Sequence, residues 1–274
     1  MAAPNEISVS QLARLVGTPD APVLIDLRTP EDFEADPTLI PGAARHAHDE
    51  LGALMPRLMG VRTVVYCQKG RKISQGAAAI LRSEGIACEV LEGGHLAWRA
   101  AGGPTVRTAA LPAPDGAGRT VWVTRHRPKI DRIACPWLIR RFVDPRARFL
   151  FVPPEDVALV AGRFGAVPFD VEGIGLTHEG DRCSFDAVLS AFGIEDAALD
   201  RIADLVRAAD TNRLAEVPEA AGLLAISLGL SRMHRDDLAQ LEAGIAVYDA
   251  LFRWARDAQA EGHDWPSALT GSPR

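Results

Sequence analysis

The sequence predicts an α/β fold, a parallel sheet with flanking helices, followed by a mostly helical second domain with a few strands. Three observations carry this expectation. In the N-terminal third, short apolar runs alternate with helical patterns that glycine closes. A stretch rich in Pro, Gly and Ala, GGPTVRTAALPAPDGAG (102–118), then follows neither hydrophobic period. Beyond it, apolar residues recur mainly at helical steps.

The elements follow in order. SQLARLVG (10–17) reads as a helix with Ser10 as its cap and Gly17 as its stop. PVLIDL (22–27) and TVVYC (63–67) are nearly continuous apolar runs, as strands buried on both faces are. ACEVLE (87–92) is a weaker third, and ISQGAAAILRSEG (73–85) is a helix between strands. Strands alternating with helices imply parallel pairing through right-handed crossovers, with chemistry at the carboxyl ends of the strands, where Cys67 stands. The stretch 102–118 reads as a linker and sets a boundary near 108–119, giving domains 1–108 and 119–274 around a linker at 109–118. In the second block RTVWV (119–123) and RFLFVP (148–153) read as strands. Between them Ile133, Trp137, Leu138 and Phe142 recur at helical spacing, with Pro136 expected in a first turn or at a kink. Helices are expected at 155–163, 184–192, 196–209, 218–229 and 235–258. In the last, Leu238, Leu241, Ile245, Tyr248 and Phe252 form one seam, which reads as core.

Composition excludes several classes. With 47% apolar and 24% charged residues in 274, the chain is globular rather than disordered. A net charge of −6 argues against a general binder of nucleic acid or anionic membrane. No signal peptide is evident, and AAGLLAISLGL (220–230) is too short to span a bilayer. Four cysteines (67, 88, 135, 183) form no CxxC pair, so the expectation is a cytoplasmic protein with reduced thiols. The charge is unevenly spread: residues 119–148 carry nine basic against two acidic residues, and residues 149–274 carry ten basic against 21 acidic. The basic segment contains no recognition-helix pattern, which makes nucleic acid an unfavoured partner.

TVVYCQKGRKIS (63–74) is the most specific segment. A strand delivers Cys67, five residues (Gln68, Lys69, Gly70, Arg71, Lys72) follow, and a helix begins. A loop that short can turn successive N–H groups inward as an anion-binding nest, and the helix N-terminus adds partial positive charge. Lys69, Arg71 and Lys72 add full charges, so Cys67 is expected to have a depressed pKa and to be nucleophilic. The alternative is a small buried hydrophobe above a solvated turn. His46, His48 and His95 read as surface or packing residues.

With IDLRTPEDFE (25–34), IPGAAR (40–45), YCQKGRKISQGAAAILRSEG (66–85) and LEGGHLAW (91–98) in this order, residues 5–104 resemble the rhodanese domain, a sulfurtransferase module. The resemblance implies that Cys67 takes sulfane sulfur from a donor such as thiosulfate, holds it as a persulfide and passes it to a thiol or cyanide acceptor. The loop 67–72 would cradle the donor, Asp26 and Arg28 would support the site from the neighbouring strand end, and no cofactor would be required.

VTRHRPKIDRIACPWLIRRFVDP (123–145), HEGDRCSFD (178–186), VRAADT (206–211) and YDALFRWAR (248–256) resemble the C-terminal domain of the chromate-resistance protein B family. That resemblance implies a regulatory or accessory part in chromate resistance. Two constellations stand out beside it. Arg125, Arg127, Lys129 and Arg132 lie between a strand end and a helix start, suiting chromate, sulfate or phosphate, unless they pair with the acidic helices beyond. Asp170, His178, Asp181, Cys183, Asp186 and Asp210 could supply a divalent transition-metal site, with His178 and Asp210 the first ligands to test, although Asp186 and Asp210 could instead be cap or arginine-paired residues. Cys88 and Cys135 read as packing. The leading expectation is a sulfurtransferase coupled to chromate or oxidative stress. The alternatives are a chromate- or metal-sensing regulator and a metal-dependent redox enzyme in the second domain.

Overall fold

The computed structural model describes residues 5–262; the outer ends of the expected domains, 1–4 and 263–274, lie outside the described residues. The first half contains β1 (Glu6–Ile7), α1 (Val9–Leu15), β2 (Val23–Asp26), α2 (Pro30–Ala35), β3 (Thr38–Leu39), β4 (Ala43–Arg45), α3 (Met55–Leu58), β5 (Thr63–Tyr66), α4 (Lys72–Ser83), β6 (Cys88–Leu91), α5 (Gly94–Ala100) and β7 (Val106–Arg107). Five strands pair in parallel in the order β1-β6-β5-β2-β4. Successive side chains of β5 go to opposite faces, as the pleat requires. Val64 and Tyr66 join Leu12 and Trp98 in one core, while Val65 joins Leu58, Ala77 and Leu81 in the other. Burial on both faces is why the strands read as unbroken apolar runs. The cap of α1 is Ser8 rather than Ser10: its hydroxyl accepts from the Gln11 N–H while Gln11 reaches back to the Ser8 N–H, closing a capping box.

The second half contains β8 (Val121–Arg125), α6 (Asp131–Leu138), β9 (Arg148–Val152), α7 (Val157–Phe164), β10 (Val167–Pro168), α8 (Ser184–Phe192), α9 (Ala197–Asp210), α10 (Ala220–Met233) and α11 (Asp237–Asp257). A small parallel sheet, β10-β8-β9, lies against a helical body. Trp137 is the hub of that body, stacked on Phe185 and edge-on to Phe142, with Tyr248 and Phe252 around it. Its indole N–H donates to Asp249 at 2.8 Å, so the one polar atom of a fully buried ring is satisfied. Pro136 does not open this helix; it lies inside α6, which widens into a π-helical turn over Ile139–Val143. A proline there lacks the N–H that an α-helical ladder would use.

The sequence reading of 102–118 as a linker needs correction at its N-terminal end. β7 pairs antiparallel with β3, the Trp98 indole donates to the Pro104 carbonyl, and residues 108–110 form a 3₁₀ turn. Val106 is 2% exposed and belongs to the core of the helical body. A two-residue strand is too short to show either hydrophobic period, which is why the segment looked patternless. Further contacts join the halves: the Gly42 N–H donates to the Phe142 carbonyl at 2.8 Å, and Arg256 of α11 donates to the Arg14 carbonyl at 3.0 Å.

Candidate functional sites

Cys67 follows the last residue of β5, and the chain turns at once through residues 68–71 into α4. Gly70 has φ +63°, and a Cβ there would press on the N–H of Gly94 at 2.7 Å. Gly94, with φ +61°, would in turn drive a Cβ into the Cys67 carbonyl, so two glycines permit one close approach. The start of α5 then holds the loop from outside: His95 N–H donates to the Cys67 carbonyl at 3.0 Å and Leu96 N–H to the Gln68 carbonyl at 3.1 Å.

Cys67 is 5% exposed, and its Sγ lies 3.2 Å from the hydroxyl of Ser74, a wholly buried residue in the first turn of α4. Burial pushes the Cys67 pKa up, but hydrogen bonds from the Ser74 hydroxyl and the N–H groups of Ser74, Arg71 and Lys69 outweigh it and hold the thiol below its ordinary range. The expected depression is present, yet its chief sources are aligned N–H and O–H groups. Lys69, Arg71 and Lys72 are exposed at the mouth of the loop. Sequence reasoning missed Ser74; the signal was a hydroxyl one helical turn beyond a nest. Gln68 is half-buried, and its Oε1 has no hydrogen-bond partner.

Asp26 and Arg28 stand at the end of the neighbouring strand, with Asp26 in register with Tyr66. They are expected to support the site from there, and their burial rules out direct contact with a donor. Both side chains are 0% exposed, with Arg28 Nε 2.8 Å and Nη2 2.6 Å from Asp26 Oδ2. The guanidinium also donates to the carbonyls of Asp36 and Thr38. With its donors engaged it braces the strand end and offers nothing to a ligand. His95 is buried, stacked on Tyr66 and 3.0 Å from Asp36; burial lowers its pKa, so it is a neutral packing residue.

In the second half the four cations expected to hold an oxyanion do not form an open basic pocket. Arg125 Nη2 and Arg132 Nε each lie 3.1 Å from Asp170. Arg127 donates to the carbonyls of Ser231 and His234. Arg140 pairs with Glu242 and Arg141 with Asp249. Four arginines of the basic segment thus pair with carboxylates of the acidic body, the alternative the sequence offered. Lys129 is the member of the four for which no side-chain partner occurs among the described residues.

The expected metal set divides. His178 Nε2 lies 3.5 Å from Asp170 and 3.4 Å from Asp210, and Asp131, which sequence reasoning missed, approaches it at 3.2 Å. Asp186 is instead paired with Arg207 at 2.8 Å and accepts the Cys183 N–H that begins α8. Cys183 is a buried helix cap whose thiol burial pushes well up, Cys135 is likewise buried, and Asp181 is exposed. Asp131 was hidden because it is the first residue of α6 inside a basic segment. It has 0% residue exposure, and its carboxylate accepts the N–H groups of Ser184 and Phe185 at the start of α8.

The loop that delivers Asp131 is unusual. Arg127 has φ +56° and Ile130 φ +39°, a conformation that costs a β-branched residue roughly 1–3 kcal/mol. α11 holds it there: Gln240 donates to the Pro128 carbonyl, the Tyr248 hydroxyl to the Ile130 carbonyl at 3.1 Å, and the Arg127 N–H to Asp237 at 3.0 Å. Of the expected stripe on α11, Leu241, Ile245, Tyr248 and Phe252 are core, whereas Leu238 at the start of the helix is 50% exposed, and Tyr248 is also part of the clamp.

Comparison with known proteins matches both halves. Residues 8–101 match the family model of the rhodanese-like domain, and residues 122–255 that of the ChrB C-terminal domain. Protein ChrB of Cupriavidus metallidurans is 41% identical over 133 residues, covering 48% of this chain and 39% of that protein. An uncharacterized protein of Synechocystis is 39% identical over 95 residues, covering 34% of this chain and 51% of its own length. The chain thus spans 39% and 51% of the lengths of these relatives. Among solved structures, a rhodanese-related protein of Thermoplasma volcanium is 23% identical with a TM-score of 0.33, over 37% of this chain and 97% of that one. A thiosulfate sulfurtransferase of Pseudomonas aeruginosa is 28% identical with a TM-score of 0.31, over 37% and 19%.

Proposed function

From the premise that this chain joins a rhodanese-like domain to a ChrB C-terminal domain, we propose that it is a sulfurtransferase acting through a persulfide on Cys67. The carrying observation is a thiol at the carboxyl end of β5 whose anion is held by the Ser74 hydroxyl and the N–H groups of Lys69, Arg71 and Ser74. A thiolate so placed attacks the outer sulfur of thiosulfate. The S–S bond breaks, its electron pair leaves with sulfite, and a Cys67 persulfide remains. Cyanide or a thiolate then attacks the outer persulfide sulfur and the Cys67 thiolate is regenerated, with no net redox change and no cofactor. The loop N–H groups that hold the thiolate also suit the persulfide anion, and Lys69, Arg71 and Lys72 at the mouth would draw in the dianionic donor.

His95 takes no part as a base, because an ionised thiol needs none. The fused domain ties this sulfur chemistry to chromate resistance, in a cytoplasmic setting in which thiols stay reduced. The deciding assay is thiocyanate formation from thiosulfate and cyanide. Wild type should turn over and Cys67→Ser should not; activity surviving in Cys67→Ser would remove Cys67 from the mechanism.

A further inference from the structure

The sulfur chemistry leaves one cluster of the second domain unused. Asp131 at the start of α6, Asp170 just after β10, His178 in the following loop and Asp210 at the end of α9 converge on a single imidazole nitrogen. One oxygen each from Asp131 and Asp170 and a His178 nitrogen lie within 4.8 Å of one another. We propose that Asp131, Asp170, His178 and Asp210 form a binding site for a divalent first-row transition metal ion.

Geometry is the first support. Ligand atoms about 2.1 Å from one ion stand roughly 3.0–3.4 Å apart at right or tetrahedral angles. The observed separations from Nε2 are 3.2, 3.5 and 3.4 Å. The His95–Asp36 pair, an imidazole facing one carboxylate, is closer at 3.0 Å. One N–H can serve one acceptor well, whereas three carboxylates surround this one.

Charge is the second support. Asp170 is matched by Arg125 and Arg132. Asp131 and Asp210 have, among the described residues, no cationic side chain within 4.0 Å except His178. Two carboxylates facing one imidazole balance a dication when that imidazole is neutral. Preorganisation is the third. The Asp131 oxygens are fixed by the N–H groups of Ser184 and Phe185, and Asp170 by the Ser184 hydroxyl and Arg125. Such outer contacts orient metal ligands and set their affinity. His178 and Asp210, 37% and 25% exposed, leave an approach from solvent. A set of three carboxylates and one imidazole, with the Cys135 and Cys183 thiols kept protonated, favours Mn²⁺, Fe²⁺, Co²⁺ or Zn²⁺ over Cu⁺.

The test uses the full chain carrying Cys67→Ser, so that the first domain's loop thiol cannot bind the ion, after treatment with chelator. Mn²⁺ and Co²⁺ are titrated by calorimetry, with the Co²⁺ absorption spectrum as a second readout. One saturable site is expected, with an oxygen/nitrogen spectrum free of thiolate charge transfer. Asp210→Asn and His178→Ala should each weaken it at least about tenfold while circular dichroism shows the fold retained. These two are chosen because Asp131→Asn would also uncap α8. Absence of saturable binding, binding indifferent to both substitutions, or a thiolate charge-transfer band would each overturn the proposal. None of these readouts depends on sulfur transfer.

Discussion

Replacing Ser74 by alanine removes one hydroxyl and leaves the helix and the loop N–H groups in place. In the thiol form the Cys67 S–H can donate to Ser74 Oγ, while that hydroxyl donates to the Arg71 carbonyl at 3.1 Å. In the thiolate form the hydroxyl proton turns to the sulfur, so the contact favours the anion. A hydrogen bond to a charged group contributes about 1.5–3 kcal/mol. At 1.36 kcal/mol per pKa unit, and with three N–H donors remaining, Ser74→Ala should raise the Cys67 pKa by about one unit. Sulfur transfer should fall about tenfold at a pH well below the wild-type value and recover above the new one. The assay is the pH dependence of iodoacetamide alkylation. Cys88, pushed up to about 11 by burial, and the buried Cys135 and Cys183 do not compete near neutrality. Ser74→Thr should restore the wild-type midpoint. A midpoint in Ser74→Ala indistinguishable from wild type would refute the argument that side-chain hydrogen bonding depresses this thiol.

Arg28→Ala leaves the buried Asp26 carboxylate without its partner and should lower stability by about 3–5 kcal/mol, read from the urea midpoint. Gly94→Ala places a methyl against the Cys67 carbonyl at φ +61°; thiocyanate formation should be lost and the thermal midpoint lowered, and an active variant would contradict the close approach described. His95 has a folded pKa lowered by burial, so the unfolded chain binds the proton more readily, and stability should decline as pH falls through about 6.5. Asp36, also lowered in the folded state, adds to the decline once the pH drops through about 3.8. His95→Gln should flatten the first part of that profile in urea titrations at about pH 7 and about pH 5.

The sheet of the first half was legible because both faces of its strands are buried, so each strand appears as an apolar run. Cys67 was legible because its loop, cations and following helix are contiguous. Ser74 lay inside the same segment, but its role depends on a helical turn folding back on the sulfur. Asp131 was harder still. Its partners lie 39, 47 and 79 positions away in the sequence (Asp170, His178, Asp210), and only the fold brings them together. Local spacing found His178, Asp170 and Asp210 yet could not separate them from Asp181, Cys183 and Asp186. The Asp170 partner of Arg125 and Arg132 was hidden for a related reason: a run of like charge says nothing about the carboxylate that another element supplies.

The short strand β7 has a consequence for how the molecule can be taken apart. Its backbone is hydrogen-bonded to one half while Val106 is seated in the other, so the segment is a shared seam. A protease or a gene boundary placed at 102–107 would strip a strand from the first half and open a gap in the helical half at one stroke. Dissection would have to fall later, within 112–117, where the chain has no helix or strand. The seam also gives the halves a common fate: loosening either one by heat or oxidation withdraws a support from its neighbour.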